Sequence, residues 1–224
     1  MNKMKKIAIL AAAVIIAVSC SNGTKADEAV TGEAQEVEVI TEATDYELVE
    51  GSYLKWRGFK SFVDWDHLGT IGVQSGTFAV SEGQLVGGSI TIDMNSIAVV
   101  SIKDEGKRGY LEGHLKSQDF FLVDTFPTAV FEIIKVREEA TDEASSVVVG
   151  NLTIRGITNS IEFPANVTVE AGTIQFTAPT FSIDRTKWNV KYHDSEDATI
   201  AETLEEDLID HSIELTINVS ATNA

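Results

Sequence analysis

The sequence predicts an all-β protein: eight antiparallel strands forming a closed barrel or a sandwich, interrupted by one or two short helices. Two observations carry this. From about Tyr53 onward apolar and polar residues alternate, as in Ile161, Phe163, Ala165, Val167 and Val169, and again in Ile213, Leu215, Ile217 and Val219. That period of two puts every second side chain on one dry face, as in a half-buried antiparallel strand. Glycine-bearing turns such as Ser81-Glu82-Gly83-Gln84 and Glu170-Ala171-Gly172 separate the alternating runs, which is the spacing of hairpins.

The chain opens with Lys3, Lys5 and Lys6, followed by twelve apolar residues from Ile7 to Val18. As a helix this run covers roughly 18 Å, short of the roughly 30 Å of a bilayer core, so residues 1–19 read as a signal peptide and not as a membrane span. The ending Ala17-Val18-Ser19-Cys20 resembles a bacterial lipobox. The resemblance implies that Cys20 becomes the first mature residue and carries acyl chains, each buried methylene adding about 0.8 kcal/mol to membrane attachment. It also implies a place in the bacterial cell envelope, anchored to the outer or inner membrane. Between residues 21 and 50 nine acidic residues face Lys25 alone, and no aromatic precedes Tyr46. Residues 20–50 therefore read as the lipidated cysteine and a self-repelling tether, with an end-to-end reach on the order of 30 Å. Residues 51–224 remain for the folded domain.

Within it the strand candidates are Tyr53 to Lys60, Ile71 to Val80, Leu85 to Met94, Ala129 to Arg137, Ser145 to Ile154, Ile161 to Val169, Thr173 to Ile183 and Ser212 to Ser220. Gly87-Gly88 inside the third marks a bulge or bend. From Asp104 to Asp119 the period changes: Tyr110, Leu111, His114 and Leu115 recur at helical spacing. A second helical stripe, Ile200, Leu204 and Leu208, runs through Ile200 to Ile209. Both helices are candidate lids at a barrel mouth.

The formal charge is −18 from 17 basic and 35 acidic residues, which speaks on Coulomb grounds against a nucleic-acid backbone or an anionic lipid surface and for a basic or zwitterionic partner. One cysteine excludes an internal disulfide and a cysteine-based zinc site. The four histidines, His67, His114, His193 and His211, show no metal-ligand spacing, and no nucleophile elbow or phosphate loop occurs. No catalytic or metal site is therefore expected, and no cofactor. Asp194 to Asp210 holds eight acids and no lysine or arginine. It lacks the glycine of a calcium loop and reads as a solvated face, with pairing to Arg185 and Lys187 left open.

Three blocks carry a resemblance: LEGHLKSQDFFLVDTFPTAVFEI (Leu111 to Ile133), VVGNLTIRGITNSIEF (Val148 to Phe163) and SIDRTKWNVKY (Ser182 to Tyr192). In order and spacing they resemble the signature blocks of the YceI-like family. The opening WRGFK (Trp56 to Lys60), HLGTIGVQSG (His67 to Gly76) and GGSITIDMNSI (Gly87 to Ile97) is similar to lipoprotein members from the Bacteroidetes. Asn151 stands where the family usually has Asp, and Trp188-Asn189 where a Phe-Gly pair is usual. The resemblance implies an eight-stranded lipocalin-like barrel that binds polyisoprenoid or other long-chain amphiphiles, a quinone-like or fatty ligand included, without covalent catalysis.

The alternation alone leaves open whether the interior is hollow or filled; the resemblance implies a cavity. Its candidate walls are Phe78, Ile90, Ile92, Phe131, Ile133, Phe163, Phe176 and Phe181, with His67, His114 and Arg185 as candidates at the mouth or the ligand head. The alternative is an interaction module, a filled barrel whose acidic loop meets a basic envelope protein. Neither reading fixes an oligomeric state.

Overall fold

The computed structural model describes residues 25–37, 42–194 and 205–223. Cys20 and residues 200–204 of the second helical stripe lie outside them. Ten strands follow one another: β1 (Val30–Glu33), β2 (Thr44–Leu48), β3 (Tyr53–Lys60), β4 (Asp66–Ser81), β5 (Gln84–Val99), β6 (Thr128–Glu138), β7 (Ser146–Ile154), β8 (Ile157–Glu170), β9 (Thr173–Asp184) and β10 (Ile209–Asn223), with one α-helix, α1 (Glu105–Lys116), between β5 and β6.

Eight strands close a ring, each from β3 to β9 pairing antiparallel with the next and β10 pairing back onto β3. The all-β barrel is thus closed and lipocalin-like, with no free edge along its wall. Three hairpins turn on two residues that both have positive φ: Glu82-Gly83, Arg155-Gly156 and Ala171-Gly172. Such turns match the right-handed twist of the strands they join. The register of β4 on β5 shifts beside Gly87, between the pairs Ala79–Gly87 and Val80–Leu85, so the glycine pair sits at an irregularity. At Gly88, with φ of 148°, a Cβ would come within 2.4 Å of the Thr77 carbonyl.

The two remaining strands come from the segment whose acidity reads as tether. β2 lies below β3 in the same stave, paired with β4 through Tyr46–Phe78 and with β10 through Leu48–Ala221. β1 fills a split in the wall: β8 pairs with β9 only over Asn166 to Glu170, and beyond that β1 pairs with β8 through Val30–Glu162 to Glu33–Asn159. Its approach runs parallel to β9 at Glu28–Ser182, with Ala29 N–H donating to Ser182 O and Ser182 N–H to Asp27 O. The reading of residues 20–50 as a tether is corrected at these strands. Charge density predicted repulsion from a core, but a short strand paired through its backbone needs only an occasional inward residue, here Ala29 just before β1 and Tyr46 on β2, both buried.

Asp104 caps α1, its carboxylate accepting from Lys107 N–H, a usual way to satisfy a helix's first donors. Of the other expected helix, Ile200 to Ile209, residues 200–204 lie outside the described residues; within the rest, Glu205–Asp207 form a 3-10 turn and Ile209 begins β10.

Candidate functional site

Five phenylalanines on β4, β6, β8 and β9 fill the lower half of the barrel. Phe163 stacks on Phe181 with centroids 4.3 Å apart, Phe131 lies 5.6 Å from Phe163, and Phe78 lies 5.6 Å from Phe176. An eight-stranded interior is just wide enough for side chains, so rings from four strands leave no hollow there. Above them the inward residues are smaller, and a cavity of about 510 Å³ opens toward the helix end. Leu54, Ile92, Met94, Ala129, Ile154 and Leu215 are among its walls.

Of the eight proposed wall residues, only Ile92 lines this cavity. Phe78, Ile90, Phe131, Ile133, Phe163, Phe176 and Phe181 belong to the buried core, which the five rings build as a floor. Period two tells which residues point inward; it does not tell at what height along the axis the packing stops. The three mouth candidates fare differently, since His67, His114 and Arg185 all line the cavity.

Each is held by its neighbours. The Trp65 indole N–H donates to His67 Nε2 at 3.2 Å, leaving the ring proton on Nδ1, which faces Ser101 Oγ at 3.3 Å. Burial pushes His67 below its ordinary value, and the nearby Asp66 carboxylate offsets only part of this, consistent with a neutral ring. His114 on α1 meets Asp119 at 3.1 Å and packs edge-on against Phe120 and Tyr192, at 5.1 and 4.8 Å. Arg185 is 2% exposed, and its guanidinium donates to the carbonyls of Asp210, Val190 and Ile209 at 2.9, 2.6 and 2.9 Å. It therefore ties the turn after β9 to the start of β10, and burial lowers its pKa despite Asp194, Asp184 and Asp210 around it.

Other lining residues carried no sequence signal as a group. Trp56, Trp65, Tyr110, Phe120, Phe121 and Tyr192 reach the cavity from β3, from loops and from α1. Trp56 is placed by Gly69, where a Cβ would sit 2.3 Å from the indole. Arg155 pins the loop after α1 to the turn after β9 by donating to Phe120 O and Asn189 O, both at 2.7 Å. Trp188 is fully buried, with its indole N–H on Leu152 O at 2.9 Å, and packs outside the cavity. Asn151 lies away from the cavity too: its amide accepts from Gln35 N–H at 2.9 Å and donates to Gln35 O at 2.7 Å.

Three acids of the 194–210 stretch are paired: Asp194 with His211, Asp207 with Lys60 and Asp210 with Lys25. Among the described residues no cluster of His, Cys, Asp or Glu is arranged to hold a metal ion.

A closed antiparallel barrel with an aromatic floor, an apolar cavity open at one end and a helix across that opening defines the lipocalin-like class of barrel. Within that class the YceI-like domain matches residues 31–221, and the chain belongs to the YceI-like family. Among solved structures the barrel is similar to BcnA of Burkholderia cenocepacia, at 19% identity and a TM-score of 0.53 over 76% of this chain and 96% of that one. It is also similar to a polyisoprenoid binding domain from Saccharophagus degradans implicated in plant cell wall breakdown, at 14% identity and 0.55 over 82% and 100%. At these identities the likeness is one of fold. Among curated proteins none matches the chain.

Proposed function

We propose that this protein is an envelope lipoprotein that binds and carries a long-chain isoprenoid or similar amphiphilic lipid in its cavity, without covalent chemistry. The observation that supports this best is the apolar hollow itself, of a size ordinary for small-molecule sites. At roughly 30 Å³ per heavy atom, liquid water's share, its 510 Å³ takes on the order of 17 atoms, or three to four five-carbon isoprene units. A longer chain leaves its remainder outside the mouth. Removal from water is the driving force, at about 25 cal/mol per Å² of hydrocarbon buried. His67, His114 and Tyr192 offer polar atoms at the opening for a head group. Family membership and the polyisoprenoid binding domain of like fold agree with this reading.

Lipidation at Cys20 supplies the anchor and the envelope its location. The test is mass spectrometry on full-length protein purified from bacterial membranes. A diacylglycerol-modified Cys20 and one extractable long-chain lipid per barrel are the expected result. An unmodified cysteine refutes the anchor, and a barrel that stays empty when offered isoprenoids refutes the carrier.

A further inference from the structure

Six of the ten large apolar side chains that are exposed among the described residues stand around the cavity's opening: Phe62, Val63, Trp65, Leu68, Val100 and Tyr110. Phe62, Val63 and Trp65 form the turn between β3 and β4, with Trp65 itself on the cavity. Val100 N–H donates to Leu68 O, which brings those two together where β4 begins and β5 ends. Tyr110 projects from α1 at 78% exposure, Phe62 is 60% exposed and Trp65 56%. The opposite end, with the turns Glu82-Gly83 and Ala171-Gly172, contributes none of the ten. Apolar exposure concentrated on one rim marks an interaction surface.

The start of the described chain indicates what covers it. Lys25 is fastened to the same end of the barrel: its ammonium pairs with Asp210, a cavity-lining residue, at 2.5 Å. Next to it Ala26 N–H donates to Glu214 Oε1 at 3.0 Å, and Ser182 Oγ donates to Ala26 O at 3.3 Å. Only five peptide steps separate Lys25 from Cys20, a reach of at most about 18 Å. From Asp210 to the far end of β10 at Asn223 are thirteen residues (223 − 210). At about 3.3 Å each and a tilt of roughly 40°, that is about 33 Å along the barrel axis. The leash is shorter than the barrel, so a bilayer that holds Cys20 cannot meet the closed end.

We propose that the apolar rim of Phe62, Val63, Trp65, Leu68, Val100 and Tyr110 docks on the lipid bilayer in which Cys20 is anchored, with the cavity opening onto that membrane. The inference rests on the lipoprotein reading above. Tryptophan and tyrosine at such a rim suit the interface, with an apolar ring and a polar tip. The geometry gives a lipid a short path from bilayer to cavity and leaves the uncontained part of a long chain in hydrocarbon.

The experiment uses full-length lipidated protein in phosphatidylethanolamine–phosphatidylcholine vesicles. Acylation occupies the only native cysteine, so Phe62→Cys and Glu82→Cys each carry one nitroxide. Docking predicts that the label at position 62 is relaxed several-fold more by oxygen dissolved in the bilayer than by a water-soluble nickel chelate, while the label at 82 shows the reverse. An acylated protein with both labels equally open to the chelate overturns the docking and leaves the carrier reading standing. Absence of the acyl group overturns docking and anchor together. A bilayer-embedded label at 62 on a barrel that takes up no isoprenoid upholds the docking and removes the carrier.

Discussion

Replacing Ala129 with Phe should shorten the cavity's measure of chain length by about one isoprene unit. Ala129 is buried in the wall at the level where the floor ends, two residues before Phe131 on β6 and on the same inward face. The change adds six heavy atoms, on the order of 180 Å³ at roughly 30 Å³ each, about a third of the space. Because the ring enters a void, the overpacking cost of roughly 1–3 kcal/mol seen in filled cores should be small. With about 0.8 kcal/mol per buried CH₂, each isoprene unit inside contributes up to about 4 kcal/mol before ordering costs. Affinity should then climb with chain length up to three or four units in the wild type and level off about one unit earlier in Ala129→Phe. A series of isoprenoid alcohols of increasing length, titrated by displacement of a fluorescent apolar probe, reads both plateaus, with thermal melting as the fold control. Plateaus at the same length in two equally stable proteins would refute the placement of the chain above the phenylalanine floor.

Three further outcomes follow from the contacts. Asn151→Asp cannot donate to Gln35 O and sets a carboxylate against that carbonyl, so β1 should loosen by about 1–3 kcal/mol, visible as faster amide exchange at residues 29–35 with the rest of the barrel unchanged. Arg185→Ala strips the donors from three carbonyls and leaves its acidic neighbours without a buried cation; a loss of about 3–5 kcal/mol is expected in denaturant melts. Arg185→Lys should not restore it, since an ammonium cannot span the same fork. His67 has a depressed value in the folded chain, so the unfolded chain binds more protons. Its contribution to stability is then complete above the ordinary histidine value and declines as the pH falls through His67's own. An NMR titration of the ring, with Trp65 indole N–H as reporter, should show both changing together; independent titration would contradict the Trp65–His67 bond.

The ring strands were legible because each has one dry face, and that alone produces alternation: Ile161 to Val169 and Ile213 to Val219 sit where the period puts them, on β8 and β10. Helix α1 was legible for the same reason, its Tyr110, Leu111, His114 and Leu115 stripe facing the cavity. The N-terminal strands were not, because Val30–Glu33 and Thr44–Leu48 are short pieces held by backbone bonds, with few inward residues and acids around them. The site divides likewise. That an interior exists is written in the alternation; His67, His114 and Arg185 all line the hollow, Arg185 as a buried tie between three carbonyls. Where the hollow begins depends on how five rings from four strands meet at one height, a matter of register across 100 residues, which no local pattern encodes.

The central claim, a lipid chain inside the upper barrel, is tested most directly by an isoprenoid carrying a diazirine on its terminal unit, loaded and photolysed in the full-length protein. Adducts on Leu54, Ile92, Ala129, Ile154 or Leu215 are predicted. Adducts confined to outward residues such as Val30 or Tyr53, on a protein that is folded and binds the probe, would contradict it.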